Sequence, residues 1–260
     1  MATSRSAHMP RGSAPDAFFL GASIVLLAIV IIGFAPSLYM RFAFEPPPIP
    51  LYLHLHGIIL TGWFVLLILQ AGLVQTGKTA LHRKIGYFVA AYAAVVVAGS
   101  LMATFNAVPR ELASGMTFET NMAEVDASMG GDLTFLSFIS GVVWANILSV
   151  VGFAVLIVLA VLYRRNPQVH KRLIVIATVG MMGPPLARIS RAELLGGEQG
   201  PFIPLAILSL LLLVLVHDKI SIGRLHPASL AASIFTAVLM FSGGFVAQSE
   251  FGLEFVRGLG

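Results

Sequence analysis

The chain has 260 residues, of which 57% are hydrophobic and only 11% charged, with a net charge of +4 and no cysteine. Soluble domains carry roughly 25% charged residues, so an ordinary water-soluble fold is excluded. The missing thiols exclude disulfides, iron–sulfur clusters and thiolate catalysis.

Residues 1–15 are rich in Ser, Arg, Gly and Pro and read as a disordered tail. Residues 16–260 read as one polytopic membrane domain. Its first apolar block, 17–40, is too long for a signal-peptide core and lacks a convincing cleavage site, so a retained helix is expected. The string Glu45-Pro46-Pro47-Pro48-Ile49-Pro50 is a stiff extended lead-in to the second block, 51–75.

That second block opens on His54-Leu55-His56-Gly57. Residues two apart on a helix do not share a face, so His54 and His56 cannot serve one partner; His56 is taken as the inward one. His56, Trp63 and Gln70 recur every seventh residue, a stripe of ~21 Å at ~1.5 Å per residue. Their polar groups need partners away from water, so the stripe is expected to pack inward.

Leu81-His82-Arg83-Lys84 precedes the third block, 85–105. The loop that follows, 106–132, carries Met116, Met122 and Met129. With His54 and His56 they could form a soft copper(I) site, but their spacing fits simple packing better. The fourth block, 133–163, contains Trp144 and Asn146, read as a polar wall beside the stripe. Val169-His170-Lys171-Arg172 then leads into the fifth block, 172–188.

The fifth block is interrupted by Gly180-Met181-Met182-Gly183-Pro184-Pro185, and Arg188, Arg191 and Glu193 follow. Paired prolines strip two backbone donors from a helix. Arginines so close to an apolar run need water, a partner or a ligand. The sixth block, 201–217, closes on His217, and Leu225-His226-Pro227 opens the seventh, 227–247. The seventh contains no lysine, so retinal held as a Schiff base is excluded.

A bilayer core needs about 20 helical residues per crossing. The expected fold is therefore an all-α integral membrane protein, a bundle of about seven transmembrane helices. With the N-terminus cytoplasmic and the C-terminus periplasmic or outer, eleven of the sixteen basic residues fall inside, with only Asp16 and Asp218 as acids. That surplus follows the positive-inside rule. It accounts for the net charge through the lipid bilayer as partner, without nucleic acid.

In this orientation each inner turn is followed by a hydrophobic residue and histidine: Leu81-His82, Val169-His170, Leu225-His226. The spacings of 88 and 56 residues are unequal, but the three histidines are expected at one depth. Histidines from different helices at matching depth are what a low-spin haem b requires. His82 and His170 meet that depth condition, with Arg83, Lys84, Lys171 and Arg172 available to propionates; the competing reading is that histidines at the water interface cap loops and touch headgroups. His56 is a third candidate metal ligand. With His54, Trp63, Gln70, Arg188 and Arg191 it forms an outer candidate site for a cofactor or a quinone-like ligand. The readings that compete with electron transfer are a non-catalytic accessory subunit of a larger membrane complex and a small-molecule carrier.

The order His-x-His-Gly, Trp63, Gln70, Leu-His-Arg-Lys-x-Gly and His-Lys-Arg-Leu, ending in a Pro/Arg helix terminus, resembles a bacterial family of multi-pass membrane proteins of unknown function. The resemblance covers roughly residues 50–195. It implies a multi-pass protein of the bacterial cytoplasmic (inner) membrane and no particular activity. Histidines at helix ends are also similar to those of di-haem cytochrome b561-type bundles, at the level of analogy.

Overall fold

The computed structural model describes residues 17–126, 131–191 and 202–260. The expected tail at 1–15, Met129 and Glu193 lie outside these residues. All regular structure among the described residues is helical, apart from one isolated bridge between Asn121 and Thr134. Among the described residues six helices are long and apolar enough to cross a membrane, and a bent pair makes a seventh if counted as one span.

The chain enters through α1 (Phe18–Phe34), continued by a π-helical segment at Ala35–Tyr39 that holds Pro36 in its first turn. After the short α2 (Arg41–Phe44) the chain turns through Glu45, at φ 46°. Arg41 steadies this turn by donating to the carbonyls of Ser37, Pro46 and Pro47. Pro50 then starts α3 (Leu51–Gln75), as the proline lead-in predicts.

A tight turn with Gly77 at φ 75° leads into α4 (Thr79–Phe105). This helix begins six residues before the apolar block, so Leu81-His82-Arg83-Lys84 forms its first turns rather than a preceding loop. The loop expected at 106–132 contains two short helices, α5 (Ala107–Ala113) and α6 (Met122–Val125). Met122 is buried and Met116 packs against the same cluster, so these methionines serve packing.

The long helix α7 (Phe135–Leu162) is capped by Thr134 and packs against α4, on α8 (Pro167–Val179), and on two later helices, α11 (Pro227–Gln248) and α12 (Glu250–Arg257). Helix α8 is buried almost all round from Leu173 to Val179, which its near-continuous apolar sequence permits. It breaks at Gly180-Met181-Met182 and resumes, bent by 42°, as α9 (Gly183–Ser190). The cause is local. Pro184 has no N–H to give to the Gly180 carbonyl, and Ser149 of α7 donates to that oxygen instead, at 2.7 Å. A neighbouring hydroxyl that re-satisfies a freed carbonyl is how broken helices survive in lipid.

Gly33 lets α1 and α9 touch backbone to backbone: a β-carbon there would lie 2.5 Å from the Pro185 carbonyl oxygen. Helix α10 (Phe202–Ile222) then packs on α8, α9 and α11. The turns at 76–78, 163–166 and 223–226 lie at one end of the bundle, hereafter the His82 end. The opposite, His56 end is covered by α5, α6 and α12, with Val108, Met122, Phe135 and Val256 buried between them. The amphipathic α12 is not foreseen by the apolar-block reading. Every long helix also presents large exposed apolar side chains, such as Ile32, Ile58, Phe88, Val158, Leu212 and Phe245, the surface expected of helices solvated by lipid.

Candidate functional site

The polar stripe of α3 runs the length of the bundle and connects two separate clusters. At its middle, Trp63 is 2% exposed and donates through Nε1 to Thr178 Oγ1 on α8, at 3.2 Å. Its ring meets Phe153 of α7 edge-on, with centroids 5.0 Å apart. Trp63 thus ties three helices together, and its one donor is already used.

At the His82 end, the first turns of α4 and α8 bring His82 and His170 together. Their ring centroids are 6.3 Å apart and their planes stand at 82°. His170 Nδ1 lies 2.8 Å from the carbonyl oxygen of Ala160 in the last turns of α7. A ring nitrogen facing a carbonyl must carry the proton, so in the neutral ring Nε2 keeps the lone pair. Metal-binding histidines are oriented in this way. His82 Nδ1 is buried and has no hydrogen-bond partner, with the Gln70 backbone beside the ring.

Gln70 belongs to this end. The sequence pattern groups it with His56 at the outer site, but Gln70 lies fourteen positions further along α3, ~21 Å at ~1.5 Å per residue, and so falls near the helix's other end. The Gln70 side chain is 8% exposed, and both Oε1 and Nε2 lack partners. A buried amide left without hydrogen bonds costs ~1–3 kcal/mol on mutational scales, so this group is available to a ligand or water.

Beside the histidine pair lies a group that sequence reasoning missed. Arg172 and Asp218 are 1% and 0% exposed. Arg172 donates to Asp218 Oδ1 from Nε at 2.9 Å and from Nη2 at 2.5 Å. Its Nη1 binds both the Gln168 carbonyl and Gln168 Oε1. Every terminal nitrogen of Arg172 is thus committed, which corrects the expectation that it meets a propionate. Lys171 instead lies over the Phe19 ring at 4.3 Å, and His217 stacks on Phe18 at 3.9 Å. The available signal was Asp218 itself, an acid at the edge of an apolar run at an otherwise basic end.

His226, the third repeat histidine, is in the same neighbourhood. Its backbone N–H reaches Asp218 Oδ2 at 3.3 Å, and its Nδ1 accepts from Ala228 N at 3.1 Å as the N-cap of α11. Desolvation and the Arg172 charge hold its pKa below the usual 6.5, outweighing the pull of Asp218. A histidine with a lowered folded pKa contributes stability fully above pH ~6.5 and loses it as pH falls through the folded value. Thermal unfolding in detergent between pH 7.5 and 5.5 will therefore show a fall in stability that flattens in His226→Asn, a non-titrating N-cap of similar quality.

At the His56 end, His56 Nδ1 is buried without a hydrogen bond and lies over Gly99 of α4. Arg188 stands near the end of α9 and is exposed. Its guanidinium sits 4.3 Å from the Phe34 ring centroid. His54 is half-buried and, two positions away on the same helix, faces elsewhere. Trp144, expected to wall this site, donates instead to the Gly252 carbonyl and packs on Phe251 and Phe255 of α12.

No group of three or more His, Asp or Glu side chains able to hold a bare metal ion occurs among the described residues. The chain matches no protein-family model, no characterised protein and no solved structure.

Proposed function

We propose that this chain is a multi-pass protein of the bacterial inner membrane that holds haem b between His82 and His170 and serves electron transfer. Basic residues concentrated at the His82 end favour that end as cytoplasmic. The bent α8–α9 pair then counts as one crossing, and the seven crossings leave the C-terminus outside.

The carrying observation is the His82–His170 pair. Two metal–imidazole bonds of ~2 Å and two half-rings span roughly 6 Å, and the centroids stand 6.3 Å apart. A bare ion would find too few ligands here, whereas a haem would ask the protein for only two, which His82 and His170 could provide. When bound, the group supplies a reversible one-electron couple. The protein's part is orientation: the Ala160 carbonyl fixes the His170 tautomer, the turn at 163–166 sets its depth, and the Gln70 amide offers an unused donor and acceptor. Arg83 and Lys84, both exposed on α4, are the cations left for propionates. With both His82 and His170 engaged, the iron would have no ligand position left for oxygen, which favours electron transfer over oxygen chemistry.

Protein purified from haem-replete cells should show a low-spin Soret band that sharpens on reduction. Preparations that carry no haem band and bind none on titration with hemin would overturn the assignment.

A further inference from the structure

The two ends of the bundle are finished differently. The His56 end is covered by α5, α6 and α12 and carries exposed acids such as Glu45, Glu124 and Glu254. Among the described residues the His82 end is finished only by the short turns at 76–78, 163–166 and 223–226. Besides Arg83 and Lys84, exposed cations stand on or beside each of these turns: Lys78, then Arg164 and Arg165, then Lys219 and Arg224. None of them has an ion pair among the described residues. The acid described at this end is Asp218, which is buried against Arg172.

Basic residues at the cytoplasmic face orient a membrane protein, which accounts for the sign of this surface but not for what lies beneath it. The His82 N–H bonds back to the Lys78 carbonyl at 3.0 Å, and the His170 N–H to the Asn166 carbonyl at 2.9 Å. Each histidine therefore stands one helical turn, ~6 Å at ~1.5 Å per residue, below the turn that feeds its helix. Helix α8 is enclosed by its neighbours from Leu173 onward, yet Asn166, Pro167 and Gln168 at its start are exposed. Water thus reaches this face at the entry to α8, beside Arg164 and Arg165. Lipid headgroups line the rim of a bundle, whereas a soluble protein covers its end.

We infer that the His82 end is a docking surface for the acidic face of a soluble protein, a one-electron carrier. The carrier's class rests on the haem reading proposed above, while the acidic face follows from the charges alone. Carboxylates set against unpaired cations steer a partner onto the surface and turn away basic competitors. A carrier seated there stands about one helical turn from the histidine pair. Burying Asp218 against Arg172 takes out of view the acid that would repel it.

The test is binding to the full chain in phosphatidylcholine nanodiscs, which carry no net lipid charge, with an acidic flavodoxin as probe and basic cytochrome c as control. Flavodoxin will bind and cytochrome c will not, and the affinity will fall as salt rises to ~0.15 M. Arg164→Gln with Arg165→Gln, which leaves the histidine site untouched, will weaken flavodoxin binding about tenfold or more, chiefly by slowing association. Lys78→Gln with Arg224→Gln, on the other two turns, gives the same readout if the first pair folds poorly. The docking surface is overturned if flavodoxin does not bind, or if parent and both variants bind it equally. It is also overturned if the cations serve only lipid, so that the variants lose nothing but retained phosphatidylglycerol. Binding is read without reference to colour, which separates the two proposals. A Soret band without flavodoxin binding removes the docking surface alone, and flavodoxin binding without a Soret band supports the acidic-partner surface while removing the haem.

Discussion

Asp218→Asn will destabilise the protein by about 3–5 kcal/mol, the range for breaking a buried ion pair by removing one partner. The arginine left behind is the reason. Arg172 is 1% exposed and reaches Asp218 through two nitrogens, with Gln168 taking the third. An asparagine can offer one carbonyl oxygen but no charge, so the guanidinium would stay buried and uncompensated. The same change weakens the acceptor for the His226 backbone N–H, loosening the turn between α10 and α11.

A double replacement separates this account from simple damage. Exchanging both partners for apolar residues of similar volume, Arg172→Met with Asp218→Leu, removes attraction and desolvation together. Such exchanges are often neutral or stabilising, so the double variant should recover most of the loss. Unfolding midpoints in mixed detergent titrations would measure both. Parent-like stability in Asp218→Asn would show that the pair is not formed.

The parts of the fold legible in the sequence are those set by local composition. The second apolar block coincides with α3, because prolines precede it and Gly77 follows it. The interruption of the fifth block was legible because Pro184 and Pro185 cannot donate. The start of α4 was misplaced since Arg83 and Lys84 look like a loop by hydropathy, yet exposed basic residues extend a membrane helix into the interface. Helix α12 was missed because eight amphipathic residues carry little signal beside spans three times as long.

Side-chain partnerships were legible only where repetition exposed them. Three inner turns that each precede a hydrophobic–histidine pair predicted a common depth, and His82 and His170 do meet. The Arg172–Asp218 pair bridges 46 residues. No local pattern encodes which of several basic residues at the same end turns inward. Gln70 shows the converse. Its spacing from His56 gave the correct face of α3, but a shared face does not mean a shared site.

The second large effect expected is on the histidine pair. His82→Ala and His170→Ala should each abolish the low-spin haem spectrum and lower haem retention by more than the ~10–100-fold typical of losing a merely orienting partner. His56→Ala should leave the spectrum unchanged, because His56 lies at the far end of the α3 stripe, against Gly99. His170→Met is the informative conservative change. With haem held as proposed, a methionine in place of one histidine would keep a ligand to the iron and raise the reduction potential, so haem would stay while the potential rises. Gln70→Leu removes the unpaired amide without touching a ligand. If that amide contacts the cofactor, the potential will shift with haem content unchanged. If it does not, deletion of an unsatisfied buried group will raise stability equally with and without haem. Spectra of this series against redox titration therefore distinguish ligation from packing. Retention of the full low-spin spectrum in both His82→Ala and His170→Ala would remove these two residues from the coordination sphere.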